Sequence, residues 1–111
     1  MKLKDLKDAG GVIEARPVKK RVVWTRGNGE PLEFDVHIRR LAYGPLERVM
    51  LETGDEQSRG ARFLAATVLL GEAGDEPLSY ADAYQLDPGL AAELLKAARE
   101  VNATGEVPAK N

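Results

Sequence analysis

The sequence predicts an α+β fold in which an N-terminal β-hairpin, over about residues 18–40, is followed by about four α-helices packing on it. Three observations lead to this prediction: apolar–polar alternation before residue 40, an Asn-Gly pair inside that segment, and helical spacing of apolar residues after residue 44. Because an isolated hairpin is marginally stable in water, its apolar face needs the cover that the helices supply.

The hairpin prediction rests on two strands and the turn between them. The second strand alternates polar residues with apolar ones, as a strand with one buried face does, at Leu32, Phe34, Val36 and Ile38. The first strand, from Lys20 to Thr25, alternates less strictly but is rich in β-branched residues. Between them, Asn28-Gly29 tolerates the positive φ angles of a tight turn.

The first two predicted helices follow the hairpin. Gly44-Pro45 begins one helix and Gly54-Asp55 ends it, with an apolar side of Leu46, Val49, Met50 and Thr53. A second helix is predicted from about Gln57 to Leu70, with a stripe of Ala61, Leu64, Ala65, Val68 and Leu69. The segment from Gly71 to Pro77 is predicted to be a polar turn.

Two further helices begin at capping signals. Ser79 can cap a short third helix that carries Tyr80, Ala83 and Tyr84. Asp87-Pro88 supplies an N-cap and a proline at the first position of the last helix. That helix runs to about Val101, with apolar residues at helical spacing.

The chain divides into one domain with two polar ends. Gly10-Gly11 and Pro17 separate a weak helical pattern from the hairpin, so we expect residues 1–17 to form a flexible arm. We expect residues 18–102 to form a single α+β domain and residues 103–111 to form a flexible tail.

Composition excludes several classes of protein. The sequence has no cysteine, which rules out disulfides and cysteine-based zinc sites. The longest apolar run, residues 65–70, is far shorter than the roughly 20 residues of a membrane span. No apolar stretch follows the lysines of the N-terminus, so we expect no secretory signal and a cytoplasmic location.

Charge is unevenly distributed along the chain. Residues 1–40 carry 10 Lys and Arg against 6 Asp and Glu, whereas residues 41–111 carry 6 against 12. Such polarity can orient a protein toward a partner, and it is equally typical of solvated surfaces.

No group of residues indicates catalysis or a metal site. The only histidine, His37, shares the polar face of its strand with Asp35 and Glu33, and ligands in one flat row rarely enclose an ion. A single histidine without cysteine cannot supply a nucleophile–base pair of the usual kinds. We therefore expect no enzyme activity, no cofactor and no metal.

Phosphate and nucleic-acid binding are also disfavoured. Residues 26–29 lack the spacing of a phosphate loop and join two strands. The basic residues at 19–21 and 39–40 are not interleaved with several aromatic ones, and the isoelectric point is about 5.5. We expect no nucleic-acid partner and no membrane partner.

Three segments carry a family resemblance. Residues 35–44, DVHIRRLAYG, combine a strand, a basic pair and a Leu-x-aromatic-Gly helix entry; residues 76–90, EPLSYADAYQLDPGL, contain a short helix ending in Leu-x-Pro-x-Leu; and Val101-Asn102 closes the last helix. In this order, over about residues 20–102, they resemble the tail assembly chaperones of long-tailed bacteriophages. The resemblance implies a non-enzymatic role.

Members of that family bind the long tape measure protein before the tail tube polymerises around it, help to recruit tail tube subunits, and are absent from the finished virion. The resemblance therefore implies the tape measure protein as partner, in the cytoplasm of the bacterial host. We expect the contact to involve Trp24, Arg39, Arg40 and Tyr43, where the hairpin meets the helices. Core or rim packing is the alternative for Trp24 and Tyr43, and a homo-oligomer is a further candidate assembly.

Two other classes stay open: a structural virion component, such as a neck or tail-completion protein, and a small protein-binding regulator. In many such phages a ribosomal frameshift near the stop codon extends some of the chaperone. Ala109-Lys110-Asn111 can be encoded by GCA AAA AAC, which contains a slippery heptamer. The resemblance thus makes such a frameshifted extension the candidate contact with the tail tube protein, and the amino acids permit it.

Overall fold

A four-stranded antiparallel sheet and five helices make up the part of the chain that the computed structural model describes, which is residues 1–14, 16–51, 54 and 56–104. The strands, in the order β1-β2-β3-β4 across the sheet, are β1 (Val18–Thr25), β2 (Pro31–Ile38), β3 (Val68–Leu70) and β4 (Glu76–Pro77). The helices are α1 (Leu3–Asp8), α2 (Tyr43–Leu51), α3 (Arg59–Thr67), α4 (Tyr80–Tyr84) and α5 (Pro88–Thr104). The predicted α+β class is confirmed.

The predicted hairpin is formed by β1 and β2. The register pairs Val18 with Ile38 and Thr25 with Pro31, and Gly29 takes a φ of 86° in the turn between them. The face of β2 that was predicted to be buried is fully buried at Val36 and Ile38 and partly buried at Phe34. On β1, Val18 and Val22, which pair with Ile38 and Phe34, are also buried. Leu32 near the turn stays 41% exposed.

The second predicted helix is wrong at its C-terminal end. Helix α3 stops at Thr67, and Val68 continues in extended conformation (φ −90°, ψ 128°) as the start of β3. The Thr67 hydroxyl donates to the carbonyl of Phe63 (2.7 Å), and the Thr67 carbonyl accepts from the N–H of Arg39 (2.8 Å). Pairing with β2 therefore replaces the last helical turn, and the short apolar run suited both structures.

The starts of α4 and α5 follow the predicted capping signals at Ser79 and Asp87, and the structure adds a cap at Ser58 for α3. Ser58 accepts from the N–H of Ala61, Ser79 from that of Asp82, and Asp87 from those of Gly89 and Leu90, which satisfies first-turn donors of α3, α4 and α5. Helix α5 continues to Thr104 instead of Val101.

Thr53 and Asp55, assigned from the sequence to the first helix and its end, lie outside the described residues, as do residues 105–111 of the predicted tail. No residue of α1 is buried.

The core lies between the sheet and the helices α3 and α5. Its least exposed members, at 0–1% of their surface, are Val36, Ile38, Leu64, Val68, Ala98 and Val101. Small residues on α5, Ala97 and Ala98, let the helix approach the sheet closely, and both are buried.

The end of α5 is tied to the connector after β2 by Asn102. Its Oδ1 accepts from the backbone N–H of Leu41 (2.7 Å), and its Nδ2 donates to the carbonyls of Arg39 (3.1 Å) and Ala98 (2.8 Å). One side chain thus satisfies polar backbone groups on two elements, which fixes where the chain turns from β2 into α2.

We predict that Asn102→Ala lowers the free energy of unfolding by about 2 kcal/mol, because it leaves the part-buried N–H of Leu41 without a hydrogen-bond partner and frees the connector from α5. Urea unfolding measures this change. The matched control is Asn28→Ala, which removes a bond to the N–H of Glu30 in an exposed turn where water can replace it. Similar losses of unfolding free energy in the two variants would contradict the stabilising role of the Asn102 hydrogen bonds.

A second constraint is the β3–β4 loop, where Gly74 has a φ of 68° and lies against the ring of His37. A side chain at Gly74 would begin 2.6 Å from His37 Cγ. This close approach needs a residue without Cβ, so the loop covers the strand face on which His37 lies.

We predict that Gly74→Ala destabilises the protein by about 3 kcal/mol, through backbone strain and the steric clash with the ring together. Gly29→Ala is the matched control, because that turn shares the positive φ but has open space around the new methyl group. It should cost only about 1 kcal/mol. Equal shifts in urea midpoint would show that the ring contact is unimportant.

Candidate protein-binding surface

An apolar groove opens between α2, α3 and α5, and we call it the α2–α3–α5 groove. Its volume is about 430 Å³. Its lining comes from all three helices and comprises Leu46, Met50, Arg59, Gly60, Phe63, Leu95, Arg99 and Asn102. The groove is open to solvent along one side, so it suits part of a larger molecule.

The floor of the groove is built from residues that the core only partly covers. Phe63 and Leu95 pack against the core cluster with one side and line the groove with the other. Gly60 has no side chain there, which leaves the space between α3 and α5 unfilled. On α2, Val49 is buried, whereas the next residue, Met50, is 49% exposed.

The exposed apolar surface continues beyond the groove along α2. Leu51 is 73% exposed and Tyr43, at the start of the helix, is 76% exposed. The Tyr43 hydroxyl donates to Glu47 Oε2 (2.9 Å), so one end of this surface is polar. Helix α2 thus exposes three large apolar side chains, Tyr43, Met50 and Leu51, spaced i, i+7 and i+8 on one side of the helix.

The rim of the groove is basic. Arg59 and Arg99 are the two charged residues among the described lining residues. Neither arginine forms an ion pair with another residue that the structure describes. Two guanidinium groups therefore border an apolar floor, and in the part of the chain that the structure describes no carboxylate pairs with either of them.

The structure brings three of the four residues expected at the interface close to this groove. Arg39 and Arg40 lie in the connector between β2 and α2, residues 39–42, and Tyr43 begins α2. Asn102 links them to the groove, because it lines the groove and holds the connector. The segments that carry the family resemblance, residues 35–44 and 101–102, thus meet in space.

Trp24 lies elsewhere. It pairs with Leu32 at the turn end of the hairpin, and its indole lies beside Gly89 at the start of α5. Seven strand positions separate that end from Arg39, a distance of roughly 23 Å. Its half-buried position fits packing against the helix.

Sequence reasoning missed the arginines of the rim and the floor residues Phe63 and Leu95. A signal was present, since each floor residue sits next to a predicted core residue, Leu64 or Leu94, and widens the apolar stripe. A helix that packs against one neighbour needs only a narrow apolar stripe. A wider stripe therefore indicates that the helix contacts apolar groups on two sides.

The carboxylates near His37 are already engaged by cations. Asp35 accepts from Arg21 Nε (2.8 Å) and lies 3.6 Å from Lys19 Nζ, while Glu33 lies 3.5 Å from Arg21 Nη1. The hydrogen bond from Arg21 lowers the pKa of Asp35 below its ordinary value and raises that of Arg21. Within the described ranges, no group of three His, Asp or Glu side chains is placed to hold a metal.

No helix in the described part of the chain is long and apolar enough to cross a membrane.

Comparison with known proteins gives one finding. The model of a family described as phage tail assembly chaperone matches residues 4–102, which is most of the chain and includes every residue lining the groove. No curated protein and no solved structure matches.

Proposed function

Because the chain belongs to the phage tail assembly chaperone family, we propose that it binds the tape measure protein before the tail tube forms around it. The family match over residues 4–102 is the observation that carries this proposal. Binding keeps the partner soluble and available for assembly, and no bond is made or broken.

Physical chemistry supports such a role. A long helical protein awaiting its tube exposes apolar stripes, which promote aggregation. A small domain that binds those stripes shifts the equilibrium toward the soluble state by mass action, without any energy source. The α2–α3–α5 groove and the exposed side chains of α2 supply apolar surface of the kind this binding needs.

The finer parts of the proposal concern place and partners. The chain acts in the cytoplasm of the bacterial host, where tails assemble, and leaves before the virion is complete. A homo-oligomer on the partner is compatible with this role. Contact with the tail tube protein is assigned to a longer, frameshifted form.

The first test is co-expression with the tape measure protein encoded by the same phage genome. We predict that this protein is mostly insoluble alone and becomes soluble with the chain, which then co-purifies with it. An unrelated acidic protein of similar size, expressed at the same level, is the control. Failure of the chain to exceed that control in both solubility and co-purification would contradict the proposal.

Mass spectrometry of purified virions separates this role from that of a structural component. We predict that the chain is absent while tail tube and tape measure peptides are abundant. Detection at a fixed ratio to the tail tube protein would favour the neck or tail-completion alternative.

The frameshifted form has its own test in the gene. We predict that the codons for residues 109–111 contain the heptamer A AAA AAC and that an overlapping reading frame follows. An antibody against the chain should then detect a second, longer product. Synonymous codons without the heptamer would remove this part of the proposal.

A further inference from the structure

We propose that the α2–α3–α5 groove binds an acidic amphipathic α-helix, whose apolar residues at i, i+3 or i+4, and i+7 fill the floor while Asp and Glu beside them pair with Arg59 and Arg99. The identification of the helix as a segment of the tape measure protein rests on the proposed function. The chemistry of the helix rests on the groove itself.

The dimensions of the groove suit a short helical segment. On α5 the lining runs from Leu95 to Asn102, about 10 Å along the helix axis, which is the length of two helical turns. Two turns present three or four apolar side chains on one face, as helices bound in grooves do. The volume of about 430 Å³ accommodates their tips rather than a whole helix, so the partner lies along the open side.

The charge of the rim selects an acidic partner. Arg59 on α3 and Arg99 on α5 border the groove without an ion-pair partner among the described residues. A carboxylate beside either guanidinium group gains charge-assisted, bidentate hydrogen bonds. A basic helix would be repelled by both arginines.

Other occupants fit the groove less well. The α1 helix of a second copy exposes Leu3 and Leu6, but residues 1–8 carry three lysines against two aspartates. Residues 105–111 of this chain contain a single large apolar residue, Val107, which cannot fill a two-turn floor. Nucleic acid would use the arginines but would leave Met50 and Phe63 without an apolar partner.

The direct test uses two synthetic, end-capped peptides of about 16 residues with leucines at the helical spacing given above. One carries Glu at the flanking positions and its twin carries Lys there. We expect the full chain to bind the acidic peptide at least about tenfold more tightly, by fluorescence anisotropy at low salt. Equal binding of the twins, or preference for the basic one, would overturn the proposal.

Charge reversal of the rim supplies a test that loss of folding cannot imitate. The double variant Arg59→Glu/Arg99→Glu should lose binding of the acidic peptide about tenfold and gain binding of the basic twin. Arg48→Glu, on α2 but outside the groove lining, is the matched control and should behave like the unaltered chain. A double variant that keeps the original preference would overturn the proposal.

The floor is tested separately with Met50→Glu, which puts a charge on a half-exposed position and should weaken the acidic peptide at least about tenfold. Val23→Glu, at a similarly exposed position on β1, is the control. Unchanged binding by Met50→Glu would show that the peptide lies outside the groove.

Capture of the tape measure protein distinguishes the two proposals. If the unaltered chain and the double variant capture it equally, the groove proposal is overturned and the proposed function stands. If neither captures it but the peptides switch preference as expected, the groove binds acidic helices and the proposed function fails. A third outcome is that the unaltered chain binds duplex DNA, or forms a dimer through α1, and that the double variant loses this binding. Either result would assign the groove to that occupant and overturn the groove proposal.

Discussion

The architecture depends on the burial of the inner face of the hairpin by α5. Two strands cannot hold their own apolar face dry, and the side chains that close it, Ala98 and Val101, come from the far end of the chain. The same helix presents Leu95, Arg99 and Asn102, spaced i, i+4 and i+7, on its adjacent side. Helix α5 thus covers the core with one side and lines the groove with the adjacent side. The packing of α5 on the hairpin therefore determines where the candidate site lies.

Much of this fold could be predicted from local sequence. Period-2 alternation marked β2, Asn28-Gly29 marked the turn, and Ser79 and Asp87 marked the starts of α4 and α5, because each of these signals acts within a few residues. The strand β3 could not be predicted in this way. Three apolar residues that continue a helical pattern are equally suited to a buried strand, and only the open edge of β2 decides between them.

The candidate site was predictable only in part, because local sequence signals do not report contacts between distant segments. The motif around Arg39, Arg40 and Tyr43 identified the connector, but its neighbour Asn102 lies 61 residues beyond Leu41 in the sequence. No local pattern reports a contact over such a separation. Trp24 shows the same effect of tertiary structure, because the strand register places it roughly 23 Å from Arg39, a separation that the sequence alone did not reveal.

The form of the groove also bears on how such a protein would let its partner go. A chaperone that is displaced during assembly needs each copy to bind its partner weakly, while many bound copies together keep the partner covered. A groove of about 430 Å³ covers a few side chains, and its arginines lie at a rim where salt screens them, so each contact contributes modestly. Many copies along a long partner would still keep it covered, because protein concentration sets the occupancy of every site. A growing tube that buries the same apolar stripes more completely would then displace the copies one at a time, and the deeper apolar burial in the tube would drive the exchange.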